Sequence, residues 1–219
     1  MKKINVITLG CSKNLVDSEK LMAQLKYGGY ELAHDSEDLS ADIVIVNTCG
    51  FINDAKEESV NTILELAEAR RRGDIEKLFV FGCLSERYRD DLVSEISEVD
   101  EFFGVKNIED IIAAIGAQSK EFLMGERVLS TPNHYAYLKI SEGCNWGCSY
   151  CAIPLIRGKH ISIPVGDLVQ EAELLAKKGV KELIVIAQDT TYYGMDLYGE
   201  RKLAELLNRL SEVKGIEWI

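Results

Sequence analysis

The sequence predicts an α/β protein with two successive parallel-sheet domains, and three observations lead to this fold class. Short, continuous apolar segments rich in β-branched residues alternate with longer segments of helical periodicity. The alternation stops over a polar, turn-rich stretch and then begins again. Parallel strands joined by helices produce this pattern, because the crossover helices cover both faces of the sheet and bury its strands.

The first half of the chain contains three apolar segments that we predict as strands of an open, mostly parallel sheet: 4–9, 42–47 and 77–81. Segments with helical periodicity follow them at about 14–26, after Asp54, at 85–96 and at 107–115. Asp54 and Glu57 have the spacing of a capping box at the start of the second of these helices. We assign residues 1–118 to this domain.

The second half repeats the alternation after a linker that we predict at residues 119–133. Its predicted strands are 135–140 and 182–187, its predicted helices begin near Pro164 and Leu203, and a further strand starts at 215–219. Two and a half βα units cannot close a barrel or cover a sheet. We therefore assign 134–219 to an incomplete domain and expect the chain to be part of a longer protein.

Composition and charge exclude several classes of protein. A hydrophobic content of 47% argues against disorder. The net charge of −11 lies almost wholly in residues 1–125, which carry −10; this disfavours direct nucleic-acid binding and favours a basic partner. No apolar segment approaches the ~18 residues of a membrane helix, and no secretory signal is present. We therefore expect a cytoplasmic protein without membrane contact, whose six cysteines are metal ligands or reactive thiols.

Three cysteines lie within eight residues, directly after the first strand of the second domain: Cys144, Cys148 and Cys151. Three thiolates can hold a 4Fe–4S cubane and leave one iron open to a further ligand. Gly143 and Gly147 allow the backbone to approach such a cluster closely. The alternatives are a structural zinc site, for which His160 is the only nearby fourth ligand, and a redox pair, which leaves the first cysteine unexplained.

The other three cysteines are dispersed along the first domain, but each comes just after a predicted strand: Cys11, Cys49 and Cys83. The carboxyl ends of adjacent parallel strands meet at one edge of a sheet, so we expect the three thiols to lie at the same edge. This arrangement indicates a second three-thiolate cluster. The alternative is that the three cysteines are buried as small hydrophobic residues.

The clustered cysteines resemble the Cys-x3-Cys-x2-Cys loop of the radical S-adenosylmethionine enzymes. Several longer segments resemble one family of that superfamily, the methylthiotransferases, and extend the resemblance over essentially the whole chain: 9–19, 47–52, 55–59, 82–84, 142–158, 187–194 and 196–199. The segments at Cys11 and at 187–194 are similar to the members that modify a ribosomal protein rather than those that modify tRNA. A tRNA-modifying enzyme and a non-catalytic iron–sulfur or zinc-binding module remain as alternatives.

The resemblance implies two 4Fe–4S clusters and S-adenosylmethionine as cofactors. Cys144, Cys148 and Cys151 would hold the radical-generating cluster, and Cys11, Cys49 and Cys83 an auxiliary cluster whose open iron carries or receives sulfur. The implied reaction is β-methylthiolation of an aspartate in the small-subunit ribosomal protein uS12. One S-adenosylmethionine would donate a methyl group and another would yield the radical that removes a hydrogen from the β-carbon. The sequence does not identify the electron donor or the sulfur source.

The same resemblance implies contacts to S-adenosylmethionine from Tyr150, Gln188 and Asp189. It also implies a longer protein, in which a complete radical domain, a partial (β/α) barrel, is followed by a TRAM domain. One segment departs from the family pattern, because Ile163 stands where many members have an arginine. Any role of that arginine toward substrate or cofactor is therefore in doubt for this chain.

Overall fold

The computed structural model describes residues 1–36, 41–120, 123 and 125–219. The chain consists of two compact units, Met1–Glu121 and Phe122–Ile219. Within the described ranges, no helix is both long enough and apolar enough to cross a lipid bilayer.

The first unit is built on a five-stranded sheet in the order β2-β1-β3-β4-β5, with every neighbouring pair parallel. Its strands are β1 (Lys3–Thr8), β2 (Glu31–His34), β3 (Ile43–Thr48), β4 (Lys77–Gly82) and β5 (Glu101–Phe102). The predicted open parallel sheet is therefore confirmed. The sequence did not indicate β2 and β5, because both are short edge strands and neither contains a continuous apolar segment.

Four helices connect and cover these strands: α1 (Ser12–Tyr27), α2 (Asn53–Arg72), α3 (Cys83–Glu95) and α4 (Ile108–Ala114). The capping box predicted at Asp54 is wrong. The cap residue of α2 is Ile52, without a side-chain cap, so Asp54 already lies in the first turn. A carboxylate in that turn interacts favourably with the helix dipole instead of closing the helix end. At the other end, Gly73 with φ 85° ends α2 in a left-handed conformation.

The core of the first unit lies around β3 and β4. All side chains of β3, from Ile43 to Thr48, are buried. Val44, Val46 and Val80 on these strands belong to one apolar cluster with Ile63 and Leu66 of α2. Burial of each such side chain stabilises the fold by roughly 1.5–3 kcal/mol. This packing fixes the carboxyl ends of the two central strands, where Cys49 and Cys83 follow.

The second unit contains two small sheets. Its elements are β6 (Tyr135–Lys139), β7 (Ser141–Glu142), α5 (Ile153–Ile156), β8 (Ile161–Ser162), α6 (Val165–Lys177), β9 (Glu182–Ile186), α7 (Met195–Tyr198) and α8 (Leu203–Ser211). Strand β6 pairs in parallel with β9, and β7 pairs antiparallel with β8. The further strand predicted at 215–219 is present only as one parallel bridge between Trp218 and Glu182.

Part of the predicted linker packs within the second unit. The guanidinium of Arg127 is fully buried and lies 3.0 Å from the carboxylate of Glu171 in α6. The ammonium of Lys178 donates to the backbone carbonyl of Arg127 and to Glu126. The boundary at 119–133 stays a prediction. The composition of this segment does not reveal that one of its residues forms a buried ion pair with α6.

Candidate metal centres

The first cysteine triad lies at the carboxyl edge of the parallel sheet. Cys11 is the cap residue of α1 after β1, Cys49 follows β3, and Cys83 is the first residue of α3 after β4. Strand β3 pairs with both β1 and β4, so the three segments are neighbours. Cys11 is exposed and the other two are buried. Two of the three thiols thus begin helices, whose amino termini favour negative charge.

Glycines allow the three segments to approach one another. A Cβ atom on Gly10 would lie 2.6 Å from the Cβ and 3.0 Å from the Sγ of Cys49, and Gly10 has φ +93°. A Cβ atom on Gly50 would lie 2.7 Å from the backbone of Leu84 and from the carbonyl oxygen of Cys83. The segment after β1 therefore touches the segment after β3, and the segment after β3 touches the segment after β4.

Hydrogen bonds from neutral side chains hold these segments. The hydroxyl of Ser59 in α2 accepts from the backbone N–H of Cys49 at 3.0 Å and donates to its carbonyl at 3.1 Å. The amide of Asn47 donates to Ser18 and to the carbonyl of Asn14 in α1. Asn14 itself contacts all three cysteine-bearing segments. Sequence reasoning missed these residues, although Asn14 stands only three positions after Cys11.

The second triad lies in a loop that a short pair of strands closes. Strands β7 and β8 bracket residues 143–160, and the backbone N–H of Cys144 donates to the carbonyl of Gly158 at 3.1 Å. A Cβ atom on Gly143, which has φ +75°, would lie 2.2 Å from the carbonyl oxygen of Lys159. A turn joins the last two cysteines, since the N–H of Cys151 donates to the carbonyl of Cys148. Cys148 is exposed and its two partners are partly exposed.

The carboxylate of Glu142, directly before this loop, contacts side chains from the carboxyl ends of both parallel strands, β6 and β9. Its Oε2 atom lies 2.9 Å from the ammonium of Lys139 and 3.1 Å from the guanidinium of Arg157, which is 2% exposed. Its Oε1 atom accepts from the amide of Gln188 at 2.8 Å and from the N–H of Gly143 at 3.3 Å. The carboxylate thus links the end of β6, the segment after β9 and the end of α5 to the start of the cysteine loop.

The structure places the three residues expected to contact S-adenosylmethionine in different surroundings. Tyr150 is 87% exposed, Gln188 donates to Glu142, and Asp189 accepts from the indole of Trp146 in the cysteine loop and from Thr191. Burial alone would raise the pKa of the Asp189 carboxyl, but these hydrogen bonds outweigh it and hold the pKa below its ordinary value. Two of the three residues therefore connect the segment after β9 to the loop or to Glu142.

A further polar network supports the closing end of the loop. The backbone N–H of His160 donates to the side chain of Asn145, and its Nε2 atom lies 3.0 Å from the hydroxyl of Ser162. That hydroxyl donates to Asp196 at 2.6 Å. Ile163, at the position of the family arginine, packs against the apolar core of the second unit. At that position this chain therefore has an apolar side chain in contact with the core instead of a charged one.

None of the six cysteines, all of which lie in the described ranges, forms a disulfide bond. Among residues 1–36, 41–120, 123 and 125–219, no three His, Cys, Asp or Glu side chains converge so as to hold a single metal ion. Each thiolate of a cubane cluster binds a different iron, so the three sulfurs of such a site need not meet at one point.

Two protein families match the chain. Residues 3–104 match the family described as "Uncharacterized protein family UPF0004", and residues 138–218 match the Radical SAM superfamily. Solved structures of similar fold include the radical S-adenosylmethionine methyltransferase TsrM from Kitasatospora setae, with a TM-score of 0.60, 15% identity and coverage of 97% of this chain and 51% of that one. The cobalamin-dependent radical enzyme OxsB has a TM-score of 0.59 at 12% identity and covers 97% and 37%. At such identities the likeness concerns the fold alone, and it confirms the predicted fold class.

Curated relatives give a much closer match. The uS12 methylthiotransferase RimO of Cytophaga hutchinsonii is 54% identical over 99% of this chain and 50% of its own length. The RimO proteins of Flavobacterium psychrophilum and Flavobacterium johnsoniae are 59% and 58% identical over 99% of this chain and 49% and 50% of their own length. The chain thus spans about half the length of the curated relatives it matches. Along essentially its whole length the chain is therefore similar to RimO proteins, with which it shares more than half of its residues, and its second unit matches the Radical SAM superfamily.

Proposed function

We propose that the protein containing this chain is a radical S-adenosylmethionine methylthiotransferase that β-methylthiolates an aspartate of ribosomal protein uS12. The observation that carries the proposal is the presence of two cysteine triads, one in each unit, in a chain 54–59% identical to proteins named uS12 methylthiotransferase. A ribosomal substrate is consistent with action in the cytoplasm.

We propose that each triad holds one 4Fe–4S cluster. Cys144, Cys148 and Cys151 would bind the radical-generating cluster, and Cys11, Cys49 and Cys83 the auxiliary one. The residues fit such groups in two respects: none of the six cysteines is in a disulfide, and Gly10 and Gly50 leave the backbone room to bring the first triad together. When bound, the two clusters would supply the electron that cleaves S-adenosylmethionine and the sulfur to be inserted, chemistry that an unactivated C–H bond requires.

The surroundings of Glu142 support an S-adenosylmethionine site at the second triad. The Oε1 atom of Gln188 and the Oγ atom of Ser141 are buried without a hydrogen-bond partner among the described residues. Buried polar atoms of this kind are costly unless a ligand or water satisfies them. We propose that Gln188 and Asp189 face the polar methionyl part of S-adenosylmethionine, and that the exposed ring of Tyr150 packs near its adenine.

Charge supports a basic protein substrate. Residues 1–125, which include the auxiliary triad, carry a net charge of −10. Such a surface attracts a basic ribosomal protein and repels the phosphate backbone of RNA. This favours uS12 over tRNA as the substrate. The change in net charge after residue 125 also supports the division that we propose between a first domain at 1–118 and a radical domain from 134 onward.

The decisive experiment uses the full-length protein that contains this sequence, purified and reconstituted without oxygen. We expect about eight irons per chain and a mass increase of one methylthio group on uS12. Cys148→Ala should lose about half of the iron and form no 5′-deoxyadenosine. Cys49→Ala should lose the other half, still form 5′-deoxyadenosine and leave uS12 unmodified.

Three outcomes would contradict the proposal. Modification of tRNA but not of uS12 would move the protein to the sister family. About four irons in the unmutated protein would leave only one cluster. Zinc in place of iron would rule out radical chemistry at both triads.

A further inference from the structure

We propose that Asn14 is the positioning residue of the auxiliary site, which holds the three cysteine segments together so that one cluster can bind. The inference rests on the proposed function, since it takes Cys11, Cys49 and Cys83 as ligands of one cluster. It assigns a role to a residue that is not itself a ligand.

The side chain of Asn14 contacts the segments that carry all three cysteines. Its Nδ2 atom donates to the carbonyl of Leu9 at 2.9 Å, two residues before Cys11, and to the carbonyl of Thr48 at 3.1 Å, directly before Cys49. Its Oδ1 atom lies 3.8 Å from the sulfur of Cys83. One amide group therefore joins segments that are 34 and 69 positions distant in sequence from Asn14.

Asn14 lies just beyond the paired residues of β1 and β3, where strand pairing no longer fixes the distances between the cysteine segments. The ladder between β1 and β3 ends at the pair Thr8 and Asn47, followed by one more hydrogen bond from the N–H of Leu9. The cysteines come after this point, on segments without strand pairing. Since cluster binding requires three sulfurs at a defined spacing, the cross-links beyond the ladder must come from side chains.

The position of Asn14 is itself fixed. The residue is 0% exposed in the first turn of α1, and its backbone carbonyl accepts from the amide of Asn47 at 2.8 Å. The site requires a donor at Nδ2, because two carbonyl oxygens face that atom. A carboxylate of the same shape cannot donate, and it would set a negative charge against two carbonyls and a cysteine sulfur. The substitution Asn14→Asp is therefore nearly isosteric, yet should be incompatible with this arrangement.

The test compares Asn14→Asp with Asn5→Asp in the full-length, anaerobically reconstituted protein. Asn5 is a matched control, since it is also 0% exposed and its amide also donates to a backbone carbonyl, but that carbonyl belongs to Ser36, which is not in a cysteine segment. We expect Asn14→Asp to retain about half of the iron of the unmutated protein, together with 5′-deoxyadenosine formation at the second triad. Asn5→Asp should retain all of the iron. Iron and sulfide counting and the electronic spectrum of the auxiliary cluster are the readouts.

Full iron content and an unchanged spectrum in Asn14→Asp would overturn the inference. So would an equal loss in Asn5→Asp, because the effect would then follow from any buried charge in this unit. If Asn14→Asp does not fold, Asn14→Ala carries the test, since it removes the amide without adding a charge; full iron in that variant would overturn the inference. A single cluster in the unmutated protein would instead contradict the proposed function.

Discussion

The two cysteine triads are supported in physically different ways. In the first unit, the cysteines come from three separate strand ends, and neutral groups such as Asn14, Asn47 and Ser59 hold their segments. In the second unit, the cysteines share one short loop, and charged groups surround it. Glu142 lies between Lys139 and Arg157, and Asp189 and Asp196 accept hydrogen bonds from the loop and its closing strand.

This difference follows from how the cysteines of each triad are distributed along the chain. A triad assembled from three segments needs cross-links in three directions, and an amide can donate and accept at the same time. A triad within one loop needs that loop to be fastened at its ends, and one carboxylate can accept from several cations and N–H groups. Both arrangements require close backbone approach at a glycine, and the second depends on ionised side chains as well.

The largest effects should come from filling the space that close approach requires. Gly10→Ala and Gly143→Ala each introduce an alanine at positive φ and a Cβ atom within 2.6 Å of a neighbouring atom. The left-handed conformation costs about 1–2 kcal/mol, and overpacking adds about 1–3 kcal/mol. We expect Gly10→Ala to lose the auxiliary iron and Gly143→Ala the radical cluster, as measured by iron content and by the free energy of unfolding.

The chain offers matched controls for both variants. Gly29 and Gly179 also have positive φ, but a Cβ atom on either would meet no other atom within 4 Å. Alanine at these positions should therefore show only the conformational cost and full iron. If Gly10→Ala were no more destabilising than Gly29→Ala, close approach of the first-triad segments would not be what the site depends on.

An intermediate effect is expected from removing the charge of Glu142. Glu142→Gln keeps the shape but removes the negative charge beside Lys139, which is 9% exposed, and beside Arg157, which is 2% exposed. The loss of hydrogen bonds to charged groups should lower the free energy of unfolding by about 1.5–3 kcal/mol. Urea titration of the variant measures this.

The control for Glu142 is Glu217, whose pair with Lys181 is exposed on both sides. Exposed pairs contribute little, so Glu217→Gln should match the unmutated chain. Equal unfolding free energies for the two variants would mean that ionic support of the second loop is absent. Full iron in Glu142→Gln, with a stability loss, would separate the stability role from the cluster site.

Features that depend on local sequence pattern could be predicted, whereas features that depend on contacts between distant residues could not. Buried central strands such as Ile43–Thr48 are continuous apolar segments, so the sheet and the common edge of Cys11, Cys49 and Cys83 follow from local pattern. The start of α2 was missed, because Ile52 caps it without a side-chain hydrogen bond. Asn14 and Glu142 could not be assigned roles, since their partners lie far away in sequence or on other elements. Such contacts depend on tertiary distances that periodicity and spacing do not contain.

The smallest effect concerns pH, and we expect it from Asp196 in the second unit. Burial alone raises the pKa of the Asp196 carboxyl, but hydrogen bonds from the hydroxyl and N–H of Ser162 outweigh it and hold the pKa below the ordinary value of 3.8. A depressed pKa adds stability that is fully present above 3.8 and is lost as the pH falls through the lower value of the folded state. Asp196→Asn should therefore flatten the dependence of unfolding free energy on pH in that acidic range. A slope that survives in Asp196→Asn would show that the acid sensitivity arises elsewhere, and the contrast between a neutral and an ionic support would lose its clearest measurable consequence.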